Sequence, residues 1–193
     1  MQRLAVYCGS ATPADPFYMD LAWTVGRTLA ERGIGVVYGG GKLGLMGAIA
    51  DSALEVGGEV IGVIPEALVN AEVAHRGLTE LHTVQTMHQR KALFTDLSDG
   101  FLTLPGGVGT MDELWEAISW AQLGYHEKPV GLLNAGGFYD HLIAFNAHMA
   151  EVGFVRPQHR GIMIVGDELG ALLDRMAAYE PHQTIFRMTR DEL

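Results

Sequence analysis

Cysteine is almost missing from this sequence: Cys8 stands alone, so an internal disulfide and a multi-cysteine zinc site are both excluded. That usage fits a reducing compartment, and Cys8 reads either as a small buried hydrophobe or as a reactive thiol. Basic residues are also few. Thirteen Lys and Arg against 23 Asp and Glu give a net charge of −10 and a pI near 5.1, so no global field draws the protein onto nucleic acid or an anionic membrane. Any anionic ligand must be held by a local arrangement. Nor does any apolar run approach the roughly 18 residues that cross a bilayer. The histidines include no HExxH pair, His141 and His148 being too far apart for one helical turn, so no metal site and no cofactor are expected. Internal repeats, low-complexity tracts and a domain linker are missing too.

What remains is a chain of 193 residues, 48% hydrophobic and 19% charged, the size of one domain with a full core. Residues 1–193 are expected to form that domain, with 181–193 either a loose tail or a segment packed on a partner. Leu4 to Cys8 is too short for a signal-peptide core, and the ending Arg190-Asp191-Glu192-Leu193 imitates a retention signal by chance. The expected location is cytoplasmic. Glycine is the outlier, 25 residues where average usage of about 7% would give roughly half as many, and it collects in loops.

Short β-rich runs at 4–8, 34–38, 60–64, 101–104, 130–133 and 162–165 alternate with helical patterns at 16–32, 45–57, 87–98, 110–123, 139–152 and 167–179. This alternation predicts an α/β fold, a single doubly wound domain with a mainly parallel sheet covered on both faces. Residues 65–86 fit less well, LTELHTVQT reading as a short strand or an extended loop. In such folds ligands bind beyond the carboxyl ends of the strands, so the loops there carry the function.

Three loops stand out: Cys8-Gly9-Ser10, Tyr38 to Gly44, and Leu104 to Thr110. The second matches GxGxxG through Gly39, Gly41 and Gly44, but it follows the second strand and lacks the GK[ST] of a Walker loop; it is either a nucleotide contact or a tight turn. In the third, Gly106, Gly107, Val108 and Gly109 leave backbone amides open, and Thr110 begins a helix. Such a turn holds a phosphate through amides, a hydroxyl and the positive helix end. Thr110-x-x-Glu113 also fits a capping box, a purely structural alternative. Further on, at about 100° per residue, Met87, Leu93, Phe94 and Leu97 form an apolar stripe with Arg90 near its centre. A cation on an inward face must meet a carboxylate or phosphate, or snorkel to water. Lys91, on the stripe's edge, either reaches the same anion or is solvated. Glu113 and Glu116 lie one turn apart on the next helix, facing a crevice or offsetting the helix dipole.

Met87-His88-Gln89-Arg90-Lys91, followed by Pro105-Gly106-Gly107-Val108-Gly109-Thr110-Met111-Asp112-Glu113, closely resembles the LOG (Lonely Guy) family of cytokinin riboside 5′-monophosphate phosphoribohydrolases. The resemblance extends from Cys8-Gly9-Ser10 through Tyr38-Gly39-Gly40-Gly41 to Trp120-Ala121-Gln122-Leu123-Gly124 and Lys128-Pro129-Val130-Gly131. It implies a dimeric Rossmann-like fold that hydrolyses the N-glycosidic bond of N6-modified adenosine monophosphates, with AMP itself a further candidate substrate. By the same resemblance Arg90 and Glu113 are the catalytic pair, and Lys91 with Gly106 to Thr110 binds substrate. Ser10, Gly40, Gly41 and Glu116 are further candidate contacts. The expected partners are the nucleotide and a second copy of the chain, since Trp115, Ile118 and Trp120 lie at about 200°, 140° and 340° from Glu113 on the helix and one core face cannot cover all three. The rival reading is a non-catalytic nucleotide or cofactor carrier on the same fold.

Overall fold

The computed structural model describes residues 1–69 and 74–185. Seven strands form one sheet: β1 (Arg3–Tyr7), β2 (Gly35–Tyr38), β3 (Val60–Pro65), β4 (Glu80–Val84), β5 (Gly100–Thr103), β6 (Val130–Leu133) and β7 (Met163–Gly166). Their order is β4-β3-β2-β1-β5-β6-β7, and every neighbouring pair is parallel. Six α-helices connect them: α1 (Phe17–Glu31), α2 (Gly44–Glu55), α3 (Met87–Leu97), α4 (Val108–Leu123), α5 (Asp140–Glu151) and α6 (Leu169–Ala177). The doubly wound α/β expectation holds, and the six predicted strands fall within a residue of their places.

The seventh strand, β4, lies in the stretch the sequence left open between strand and loop. It is an edge, hydrogen-bonded only to β3, and most of its side chains are exposed or half-buried. An edge strand has no second neighbour and little apolar demand.

Because successive strand residues point to opposite faces, β1 divides its side chains between two cores. Leu4, Val6 and Cys8 pack with α1, α2 and α6, while Ala5 and Tyr7 pack with residues of α3, α4 and α5. The sheet reverses its winding between β1 and β5, which run side by side with Tyr7 opposite Thr103. Beyond this switch point two loops part and leave the crevice where ligands settle in such sheets. The Gly9 amide donates to the Pro105 carbonyl at 3.1 Å and ties those loops at the base of the crevice.

The described part of the C-terminal segment packs on its own chain: His182 Nε2 lies 3.0 Å from the Ala121 carbonyl, and the Ile185 amide donates to that of Gln122. The last residues of the expected tail, and the Arg190 to Leu193 ending, lie outside the described residues. No helix among the described residues is long and apolar enough to cross a membrane.

Candidate active site

Helix α3 begins with a capping box that the sequence reading passed over. The Gln89 amide donates to Thr86 Oγ1 at 3.1 Å, and Gln89 Oε1 accepts from the Thr86 amide at 3.3 Å. The pattern Thr-x-x-Gln was its visible signal. A fixed start sets the rotation of the helix, and Arg90 and Phe94 become its buried residues. Leu93 and Leu97 pack partly against the core, whereas Met87 is exposed at the rim.

Arg90 is 4% exposed. Its Nε donates to the Val63 carbonyl at 3.0 Å and its Nη2 to the Gly39 carbonyl at 3.2 Å, while the guanidinium carbon lies 5.5 Å from the Phe94 ring centre. Snorkelling is therefore ruled out. Both carbonyls are neutral acceptors that orient the guanidinium and leave its charge in place for a nearby anion.

The approach depends on Gly39, since a Cβ there would lie 2.2 Å from Arg90 Nη2. Gly39→Ala is accordingly expected to displace the guanidinium and lower turnover about tenfold while the fold survives. Steady-state kinetics beside a thermal melt check this; unchanged kinetics would show that the contact is dispensable. Gly40 and Gly41 do not line the cleft between α3 and α4. The Gly40 carbonyl accepts from the His75 amide, and Gly41 bridges to Ala74, so the structure uses them to hold the chain after β3. Gly44, at φ +58°, opens α2, and a Cβ there would lie 2.4 Å from the carbonyls of Ser10 and Ala11. The GxGxxG pattern thus marks close packing of two loops and a seat for Arg90.

Helix α4 starts at Val108 with Gly107 as its N-cap, two residues earlier than the sequence suggested. Thr110 and Glu113 are then both inside the helix, and the capping-box alternative is corrected: no side chain caps this end. The first turn offers its free amides to whatever enters the crevice, as helix starts do for anions. Val108 is 88% exposed, so its side chain leaves that approach open.

A cleft of about 260 Å³ gathers these groups. It is lined by Ser10 from the loop after β1, Arg90 from α3, and Gly107, Thr110, Asp112 and Glu113 from the start of α4, with Met46 and Met87 as apolar walls. Val108 and Gly109 border it as well, and Gly106 adjoins it, with Thr110 packed so closely that a Cβ on Gly106 would lie 2.1 Å from Oγ1. Met46, Ala11 and Asp112 were not singled out from sequence; only the fold brings them here. Cys8 lines the floor, and burial, followed by the charge of Glu113, pushes its thiol pKa well above the usual range. That makes it an inert hydrophobe. Burial likewise raises the Tyr7 phenol, with smaller contributions from Glu113 and Glu116.

Lys91 stands beside the cleft with its ammonium 2.9 Å from Glu116 and 3.2 Å from Asp112. Burial opposes its charge, but the hydrogen bonds from those two carboxylates hold its pKa above the ordinary lysine value. Glu116 is accordingly engaged by Lys91.

A family model described as possible lysine decarboxylase matches residues 46–176. A cytokinin riboside 5′-monophosphate phosphoribohydrolase of rice is 42% identical over all of this chain and 79% of its own length. One of Arabidopsis thaliana is 41% identical over 93% of this chain and 79% of its own. Among solved structures, a molybdenum cofactor carrier protein of Chlamydomonas reinhardtii superposes with a TM-score of 0.68 over 92% of this chain and 98% of its own, at 19% identity, a likeness of fold.

Proposed function

Since this chain belongs to the LOG family of cytokinin riboside 5′-monophosphate phosphoribohydrolases, we propose that it hydrolyses the N-glycosidic bond of N6-modified adenosine 5′-monophosphates, and of AMP, to the free base and ribose 5-phosphate. The observation that carries this reading is the meeting of Arg90, Glu113 and the open amides of Gly107 to Thr110 around one cleft. Breaking the bond from C1′ to the purine nitrogen builds positive charge on the ribose, as in glycoside cleavage, and water then supplies oxygen to C1′. In this reading the helix start and Thr110 take the phosphate, and Glu113 stabilises the ribosyl cation or activates the water. Arg90 orients Glu113 and the substrate oxygens. Ser10 borders the ribose. Lys91 adds charge near the anion, and Glu116 enters through its bond to Lys91.

The decarboxylase description of the family calls for pyridoxal phosphate on a lysine amine that is readily deprotonated. The lysines do not fit that task. Lys91 is held charged by two carboxylates, Lys42 is exposed, and Lys128 donates to the carbonyls of Thr95 and Ser98. The test is incubation of the purified protein with AMP and with its N6-isopentenyl derivative, followed by chromatography for free base. Intact nucleotide after prolonged incubation would favour a carrier and reject the enzyme.

We further propose a cytoplasmic, one-domain protein acting as a homodimer. Trp115 and Ile118 of α4 border an open groove of about 200 Å³ against Met149, Phe154 and Ile162. Phe154 is 86% exposed and Phe145 55%. Apolar surface of this kind favours pairing, and two-fold pairing is the commonest solution. Light scattering at micromolar concentration should give twice the 20.9 kDa of one chain. A fully active monomer would contradict both the dimer and its support of α4.

A further inference from the structure

Arg90 and Glu113 reach the cleft from two different helices, so their separation is set by how α3 lies beside α4. At the cleft Lys91 joins the two helices through Asp112 and Glu116. A second tie lies in the turn before β6, which does not line the cleft. His126 is 6% exposed there. Its Nδ1 accepts from the Lys128 amide at 3.2 Å, so the ring proton sits on Nε2 and is donated to the Ala117 carbonyl at 2.9 Å. Burial above all brings the His126 pKa down to about 4, which keeps the ring neutral in this tautomer. Ala117 belongs to α4, about one turn beyond Glu113.

Lys128 serves the other helix. Half-buried, its ammonium donates to the carbonyls of Thr95 and Ser98 at the C-terminal end of α3, whose own last turn holds no basic residue. A cation in that place satisfies carbonyls that the helix leaves open and offsets its dipole. The turn itself is anchored, because β6 begins at Val130 and pairs with β5. Side-chain packing adds a second route to Arg90. The His126 ring centre lies 4.9 Å from that of Phe101, Phe101 stacks on Tyr7 at 5.8 Å, and Tyr7 meets Phe94 edge-on at 5.8 Å, beside the Arg90 guanidinium. A close-packed interior transmits displacement along such a row.

Resting on the reading of the cleft proposed above, we infer that His126 and Lys128 are positioning residues, a clasp outside the cleft that holds α3 and α4 at the separation which sets Arg90 against Glu113 and the ribose. Neither residue touches the substrate. The phosphate is taken by the start of α4, whereas Lys128 grips only α3. Loosening α3 alone should therefore disturb the alignment of Arg90 and leave nucleotide binding in place.

The test measures kcat and KM for N6-isopentenyl-AMP in the native protein, Lys128→Met and Lys128→Arg, each well below its melting temperature. Lys128→Met keeps the stem and loses the cation, so kcat should fall about tenfold while KM stays within about twofold. Lys128→Arg, which can serve both carbonyls, should recover most of that loss. His126→Phe keeps a ring against Phe101 and loses both hydrogen bonds; it too should lower kcat more than it raises KM. A role in stability alone would lower the melting temperature and leave kcat per folded chain as it was. Should Lys128→Met fail to fold, Lys128→Gln, which retains a donor without the charge, is read by the same two criteria. Unchanged kcat in the folded variants, or KM rising as much as kcat falls, would overturn the clasp and leave the hydrolase standing. Release of no base by the native protein would overturn both.

Discussion

Glu113→Gln is expected to lower turnover by about 10²-fold or more, the scale of a positioned carboxylate that acts on the reacting centre. The substitution keeps size and hydrogen-bonding capacity and removes the charge. In this fold it spares the helix start, because α4 is capped at Gly107 and Glu113 lies more than a turn inside. Its charge nevertheless reaches the floor of the cleft, contributing to the raised pKa values of Cys8 and Tyr7. A lost charge there should therefore appear in kcat, with KM and the melting temperature little altered. Near-normal turnover would remove Glu113 from the chemistry and leave the reading without a group to meet the ribosyl cation.

The second large effect concerns the substrate. Adenosine should be a poorer substrate than AMP by about 10²-fold or more in kcat/KM, since two charge-assisted hydrogen bonds at roughly 1.5 kcal/mol each already amount to that factor. The groups that would be left idle are the open amides at the start of α4 and the Thr110 side chain, which border the cleft. Binding energy from a phosphate remote from the broken bond serves to fix C1′ against Glu113, so the loss should extend to kcat. Comparable kcat/KM for the two would show that the glycine loop serves structure alone.

Much of this was legible because parallel strands buried on both faces appear as apolar runs, and LAVYC, VIGVI and VGLL left little choice. Arg90 was legible for a similar reason: a lone cation at the centre of an apolar stripe has to be explained, and it is indeed buried. β4 stayed ambiguous because an edge strand with Glu80 and His82 carries no apolar signal. The start of α4 was misplaced because Val108 and Gly109 are poor helix formers, overridden here by the docking of the loop at the switch point. Among Gly39, Gly40 and Gly41, three identical neighbours, only the position of Arg90 in space decides which one meets the site. The partners of Lys91 were hidden likewise, since Asp112 and Glu116 belong to another helix that the fold lays beside it.

If the cleft is a catalyst, one chain must turn over many nucleotides. With the protein in large molar deficit over N6-isopentenyl-AMP, free base and ribose 5-phosphate are quantified together over time. Many equivalents of both per chain, in equal amounts, are expected, with a strongly reduced rate for Glu113→Gln under the same conditions. Nucleotide recovered intact, or release that stops at or below one equivalent per chain, would contradict it.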